Sequence, residues 1–301
     1  MSAVETAPAE GVATTTPTRH EGRRGGGGDR VVATITHTVL AIWCILVIAP
    51  MLWTVLSSFK SNEEIFGAPF GLPSSWSFDN YVDAWTEASI GDAFLNTVIV
   101  VGAALVLVML LGAMCAYVLG RFQFPGRRGI YYLMLAGLTF PVFLAIVPLF
   151  FVLDNMGLRG TLPGLILTYV AFALPFTVFF LYSFFRGLPE DISEAAAIDG
   201  AGEWRTFFQV MLPMARPGMA SVAIFNFLGL WNQFLLPVAL NTNQDNWVLS
   251  QRLASFVSSA GYASQFDQMF AAVVITIVPV LVVYVLFQRQ LQGSVSQGTM
   301  K

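Results

Sequence analysis

The sequence predicts an all-α membrane protein of about six transmembrane helices, and three observations carry that prediction. Charged residues make up 11% of the chain, against about a quarter in a soluble domain. Hydrophobic residues make up 56% of it. They gather into long apolar runs at roughly 31–58, 94–119, 130–153, 162–185, 218–240 and 269–288. Each run is long enough to cross a hydrocarbon core of about 30 Å, which takes about 20 helical residues. The expected organisation is a disordered tail over 1–30, a transmembrane domain over 31–288 and a short tail over 289–301.

Residues 1–30 are rich in Ala, Thr, Gly, Pro and Arg and include the run Gly25 to Gly28. Such a segment cannot bury enough apolar surface to offset its ordering entropy. The apolar run that follows is too long for a signal peptide and has no small-residue cleavage pattern. Several runs contain proline: Pro50, Pro141, Pro148, Pro175, Pro237 and Pro279. In lipid these predict kinked helices whose freed carbonyls find partners on neighbouring helices.

Positive charge sets the expected orientation. With the N-terminus inside, the inner segments hold Arg19, Arg23, Arg24, Arg30, Arg121, Arg127, Arg128, Arg186, Arg205, Arg216, Arg289 and Lys301. The outer segments hold only Lys60, Arg159 and Arg252. The positive-inside rule therefore places both termini in the cytoplasm. The connections 59–93 and 241–268 are then external, and 186–217 is the one long cytoplasmic loop. Connections of that length usually have a function or a structure of their own.

Several chemistries are excluded or weakened. Net charge is −3, so no nucleic-acid footprint is expected. Cys44 and Cys115 stand in apolar runs without metal-ligand spacing. With only His20 and His37 in the chain, no histidine-based catalytic or metal cluster can be assembled. A phosphate-cradling loop needs Gly-Lys-Ser/Thr, and neither Lys60 nor Lys301 follows a glycine. The chain is thus expected to be no enzyme and to bind no cofactor. Proton relays need Asp, Glu or His within the spans, and His37 is the one such residue there. A sodium site built from backbone leaves no sequence trace, so an ion-coupled secondary transporter of a neutral solute stands as the alternative.

The loop reads Leu188-Pro189-Glu190-Asp191-Ile192-Ser193-Glu194-Ala195-Ala196-Ala197-Ile198-Asp199-Gly200-Ala201. Pro189 suits a first helical position, the acids of the first turn complement the helix dipole, and Gly200 suits a left-handed stop. A short helix of about ten residues, lying outside the membrane, is expected. A second amphipathic stretch with Trp204, Phe207, Phe208 and Met211 ends at Leu212-Pro213. A helix that merely lay on the lipid surface would have more Lys and Arg.

The string Glu194 to Ala201, followed by Phe207 through Leu212-Pro213 and Pro217, resembles the "EAA" loop of ATP-binding-cassette importer permeases, most closely the carbohydrate permeases of the maltose-transporter type. Ser58-Phe59-Lys60, Phe94-Leu95-Asn96-Thr97, Ala116-Tyr117 before Arg121, Phe124-Pro125-Gly126 and Trp231-Asn232-Gln233-Phe234 match the family more weakly. The resemblance covers roughly residues 31–301. It implies a cytoplasmic coupling helix in which Glu194, Ala195, Ala196, Asp199 and Gly200 contact an ATPase. It also implies the partners: an ATP-binding subunit dimer that uses ATP and Mg, a second permease subunit, and an extracellular or periplasmic sugar-binding protein docking on 59–93 and 241–268. It further implies a bacterial cell and its cytoplasmic membrane as the setting, with lipid as the surround. The implied function is alternating-access translocation of a sugar or oligosaccharide. Neutral amides with aromatic neighbours suit an uncharged polyhydroxyl solute, which nominates Asn226, Trp231, Asn232 and Gln233 for the pore. Such amides also serve simply to bridge helices.

Overall fold

The computed structural model describes residues 27–263 and 265–298, and among these all regular structure is helical. Most of the expected tail 1–30, and the end of the tail 289–301, lie outside the described residues. Two compact units are distinguished, Met1–Met51 and Leu52–Lys301. Helix α1 (Gly27–Ser57) contains Pro50. Along its first unit the apolar side chains, Trp43, Ile45 and Leu46 among them, are exposed. A helix apolar all round is one that lies in lipid or in a large core.

The second unit is built on α4 (Ile90–Arg121) and α7 (Leu162–Gly187), which pack against each other more extensively than any other pair. Small residues make this possible. A Cβ added to Gly112 would lie 2.5 Å from Thr177 Cγ2, so only glycine allows the helices to approach this closely. Helix α14 (Phe266–Gly298) continues through much of the expected C-terminal tail. The connection 59–93 is itself structured, with α2 (Asn62–Gly67) and α3 (Asp79–Thr86).

Two of the expected spans are not single helices. Run 130–153 is divided into α5 (Arg127–Thr139) and α6 (Val142–Asn155), bent by 107°. Phe140 is extended at φ −73° and ψ 122°, because the ring of Pro141 disfavours helical geometry in the residue before it. Run 218–240 divides at Asn232–Phe234 into α11 (Arg216–Trp231) and α12 (Leu235–Leu240). Here Pro237 supplies the reason. Proline has no N–H for the carbonyl four residues back and its ring clashes with that carbonyl. The carbonyl in question, Gln233 O, instead accepts the Ser250 hydroxyl at 2.8 Å. Among the described residues, four helices are long and apolar enough to cross a membrane, or five if the bent pair is one span.

Among the described residues, buried side chains form two clusters, one toward each end of α4. The first centres on Ile90, Val100, Tyr169 and Leu236. The second centres on Tyr117, Leu181, Phe185, Phe207 and Met211, and the last two residues come from the segment after Gly200. Between α7 and α11 lie α8 (Asp191–Ile198), α9 (Glu203–Arg205), a π-helical turn (Thr206–Met211) and α10 (Leu212–Met214).

Candidate functional site

The loop between α7 and α11 is held in place by its own sequence at one end and by α4 at the other. Pro189 does not open the helix: the chain is still extended at Leu188, Glu190 is the cap residue, and α8 begins at Asp191. Its stop is a Schellman arrangement. Ala201 N–H donates to Ala196 O at 2.9 Å and Gly200 N–H to Ala197 O at 3.0 Å, which satisfies two of the carbonyls a helix end leaves free. Gly200 has φ +77°, a conformation that costs most side-chain-bearing residues about 1 kcal/mol or more.

Arg121, the last residue of α4, fastens the other end. Its guanidinium donates to Leu188 O at 2.9 Å, to Pro189 O at 2.8 Å and, at the long limit, to Ser193 Oγ at 3.4 Å. After α8 the chain turns back and drives Phe207 into the second cluster, against Tyr117 at 5.1 Å and Phe185 at 6.4 Å between ring centroids. Phe207 and Met211 are buried. Both lie in the π-helical turn Thr206–Met211, a rare geometry that is frequent at functional sites. The start of the loop is therefore joined to α4 by a hydrogen-bonded clamp, and the segment after α8 to both α4 and α7 by an aromatic wedge.

The nominated residues of this loop divide by face. Glu194, Ala195, Asp199 and Gly200 are exposed, whereas Ala196 is buried at 8% exposure and backs α8 onto the rest of the chain. Ile198 is 86% exposed and Trp204 67%. Both present apolar surface on the same loop, and neither was nominated from the sequence. Large exposed apolar groups rimmed by acids mark an interaction surface.

The nominated residues of the fifth run sit in two environments. Asn226 is buried and donates to Thr177 Oγ1 at 2.8 Å and more weakly to Met109 Sδ at 3.6 Å, so its amide bridges α11 to α7 and α4. Trp231 is also buried, its indole N–H donating to Thr276 O at 3.2 Å. Asn232 lies at the helix break with Nδ2 bonded to Leu228 O at 2.8 Å, and Gln233 Oε1 accepts the Phe234 N–H at 3.1 Å. Trp231, Asn232, Phe234, Ser250 and Thr276 line a cleft of about 470 Å³. The break thus gathers Trp231 and Asn232 on one wall and keeps Asn226 in the helix interface.

At the opposite end of α4 the two long connections are tied down by side chains. Lys60 is buried, its ammonium donating to Ala68 O at 3.0 Å and Pro69 O at 3.1 Å. Phe59 stands among Trp76, Phe78 and Tyr81 at 5.3–5.4 Å. Ser61 and Glu64 form a reciprocal capping box at α2. The carboxyl of Glu64 is held below its ordinary value by hydrogen bonds from Ser74 and from the Ser61 backbone. Asn62 Oδ1 accepts the N–H groups of Phe266 and Asp267 at 2.9 and 3.3 Å, capping α14. Asn96 Nδ2 donates to Asp245 O at 2.9 Å and Trp247 O at 3.1 Å, fixing the turn before α13 (Leu249–Ala263). Phe70 and Leu72 are left 91% and 76% exposed.

Comparison with known proteins places this arrangement. Residues 109–297, which include α7, the whole loop and α11, match the family of binding-protein-dependent transport system inner membrane components. The diacetylchitobiose uptake system permease protein of Streptomyces coelicolor is 69% identical over 279 residues, covering 93% of this chain and 92% of that protein. The trehalose transport system permease protein of Mycobacterium tuberculosis is 32% identical over 252 residues, covering 84% and 92%. A crystal structure of a bacterial ABC transporter that imports the acidic polysaccharide alginate has the same fold, with a TM-score of 0.77 at 20% identity over 88% of this chain and 98% of that one. These likenesses do not favour the ion-coupled alternative. The chain belongs to the family of binding-protein-dependent transport system inner membrane components, as a multi-pass permease subunit of a bacterial ATP-binding-cassette importer.

Proposed function

We propose that the solute is a short uncharged oligosaccharide of the diacetylchitobiose kind, and that α8 is the helix through which a separate ATPase drives its passage. The substrate reading rests on the 69% identity to a diacetylchitobiose uptake permease, which extends over 93% of this chain. An acidic sugar like the one the structural relative imports would call for cationic partners in the pore, whereas the cleft at the α11 break offers Trp231, Asn232, Ser250 and Thr276. Acetamido groups need both donors and acceptors, which amides supply.

The coupling reading rests on one observation: α8 and its C-terminal stop expose Glu194, Ala195, Ile198, Asp199 and Gly200 while Arg121 and Phe207 fasten this loop to α4 and α7. Ala196 acts from behind, holding the helix against the chain. ATP and Mg are used by the ATP-binding subunits, and this chain binds no cofactor and is no enzyme. A second permease completes the pathway. The loop end of the molecule faces the cytoplasm, as do both termini, and the connections 59–93 and 241–268 face out, where Phe70 and Leu72 meet a sugar-binding protein. Uptake of labelled diacetylchitobiose should disappear when the gene for this chain is deleted and return when it is restored. Unchanged uptake on deletion, with loss of another solute's uptake, would reassign the substrate.

A further inference from the structure

We infer that the cleft where α4 ends, α5 begins and α7 ends is a binding site for a phosphate group, and that the headgroup of an anionic phospholipid is its source. The cleft has a volume of about 760 Å³ and its walls include Arg121, Arg127, Arg128, Arg186, Tyr131 and Tyr182. Its guanidinium groups come from three separate elements: the last residue of α4, the first two of α5 and the last turn of α7. One carboxylate, Glu190, also lines it, and it lies beyond ion-pair distance of all four. Among the described residues the ion pair is elsewhere, between Arg159 and Asp154. The cleft therefore carries a net positive charge, four guanidinium groups against one carboxylate.

Orientation in the membrane requires basic residues in the inner loops. It does not require them to converge on one concavity. Tyr131 and Tyr182 pack with ring centroids 4.5 Å apart and planes tilted by 41°, and Arg186 both donates to Tyr182 Oη at 3.3 Å and lies over its ring at 6.0 Å. The Arg121 fork is already committed to the carbonyls of Leu188 and Pro189, so it contributes charge. Arg127 and Arg128 remain as the grips, and a planar guanidinium matches two phosphate oxygens at once. Basic pockets between membrane helices near the cytoplasmic surface recognise anionic headgroups in this way. Lipid is favoured over a free anion because apolar surface adjoins the cleft: Ile130 is 39% exposed, Tyr132 62% and Leu133 65%. Acyl chains could lie along that face of α5. The inference depends on α4 and α7 spanning the membrane and not on the coupling role of α8.

The test uses the importer purified with whatever subunits accompany it, and reads bound lipid by native mass spectrometry after exchange into mixed phosphatidylglycerol and phosphatidylcholine. Wild type should retain phosphatidylglycerol in preference, and R127Q/R128Q should lose that preference by roughly tenfold or more. R127K/R128K should keep part of it, and R205Q/R216Q, which removes equal charge from elsewhere on the loop, should keep all of it. A parallel arm measures binding of inorganic phosphate by equilibrium dialysis. Phosphate binding that the R127Q/R128Q change abolishes, without lipid preference, would keep the site and make a free anion its ligand. No preference in either arm, or a preference that R205Q/R216Q lowers as much as R127Q/R128Q, would overturn the proposal. Because neither arm measures transport, failure here is distinguishable from failure of the coupling reading.

Discussion

Replacing Arg121 by alanine removes the clamp between α4 and the start of α8, the proposed coupling helix, while leaving the helix itself intact. Two of its hydrogen bonds are short, at 2.9 and 2.8 Å to the carbonyls of Leu188 and Pro189. Hydrogen bonds to a charged group contribute about 1.5–3 kcal/mol each. Arg121 is half-buried and Pro189 is exposed, so water replaces part of what is lost and the lower end applies, about 3 kcal/mol for the pair. At about 1.4 kcal/mol per tenfold, that is roughly a hundredfold shift toward an α8 that moves independently of α4. Phe207 still anchors the far end of the loop, so the chain should insert and assemble. The expected result in proteoliposomes is ATP hydrolysis near the wild-type rate with solute transported per ATP reduced about tenfold or more. Arg121→Lys should recover only part of the coupling, since an ammonium cannot reproduce the planar fork. Wild-type stoichiometry in Arg121→Ala would refute the reasoning, and loss of the protein from the membrane would show the clamp to be structural only.

Other substitutions test separate parts of the account. Gly200→Asp should abolish uptake with normal membrane abundance, whereas Gly200→Asn, which tolerates φ +77° better than most residues, should retain more; equal activity of both with wild type would remove Gly200 from the contact. A Cβ there meets nothing within 4 Å of this chain, so apart from the backbone strain of φ +77°, which Gly200→Asn controls for, a severe effect reports the ATPase side. Trp231→Ala and Asn232→Ala should change the affinity or rate of uptake, and normal transport in both would move recognition to the partner permease or the binding protein. Gly112→Val should lower the thermal stability of the purified importer by about 1–3 kcal/mol through overpacking against Thr177; an unchanged transition would contradict the close approach of α4 and α7. The depressed Glu64 carboxyl contributes to the 59–93 connection fully above its ordinary value of 4.5 and loses that contribution as pH falls through the lower folded value. Proteolysis of this connection should therefore quicken at acid pH in wild type and change less with pH over that range in Glu64→Gln.

Much of the fold is legible because apolar runs of membrane length admit few structures. The left-handed stop at Gly200 was equally readable, since the acids and alanines before it define one short helix. What escaped was set by long-range partners or by a proline's effect at a distance. Pro237 was visible as a kink, but its consequence falls at Gln233, whose carbonyl is taken by Ser250. Pro141 was visible too, yet a single apolar run conceals a 107° bend as readily as a straight helix. Arg121 reads as one positive charge among several and as part of a weak family match, but nothing local indicates that Leu188 and Pro189 return to it from 67 and 68 residues away. Asn226 looked like a pore amide by composition; its bond to Thr177 depends on the packing of α7. Ile198 stood in the motif throughout, and its 86% exposure emerges only once Ala196 is seen to face inward.

The central claim, that α8 works on a separate ATPase, is tested most directly by placing a photo-crosslinking amino acid at Ile198 in the intact importer in its own membrane. The account predicts a crosslink to a nucleotide-binding subunit, with a yield that changes when ATP is bound. A crosslink confined to lipid or to this chain, unaltered by nucleotide, would contradict it.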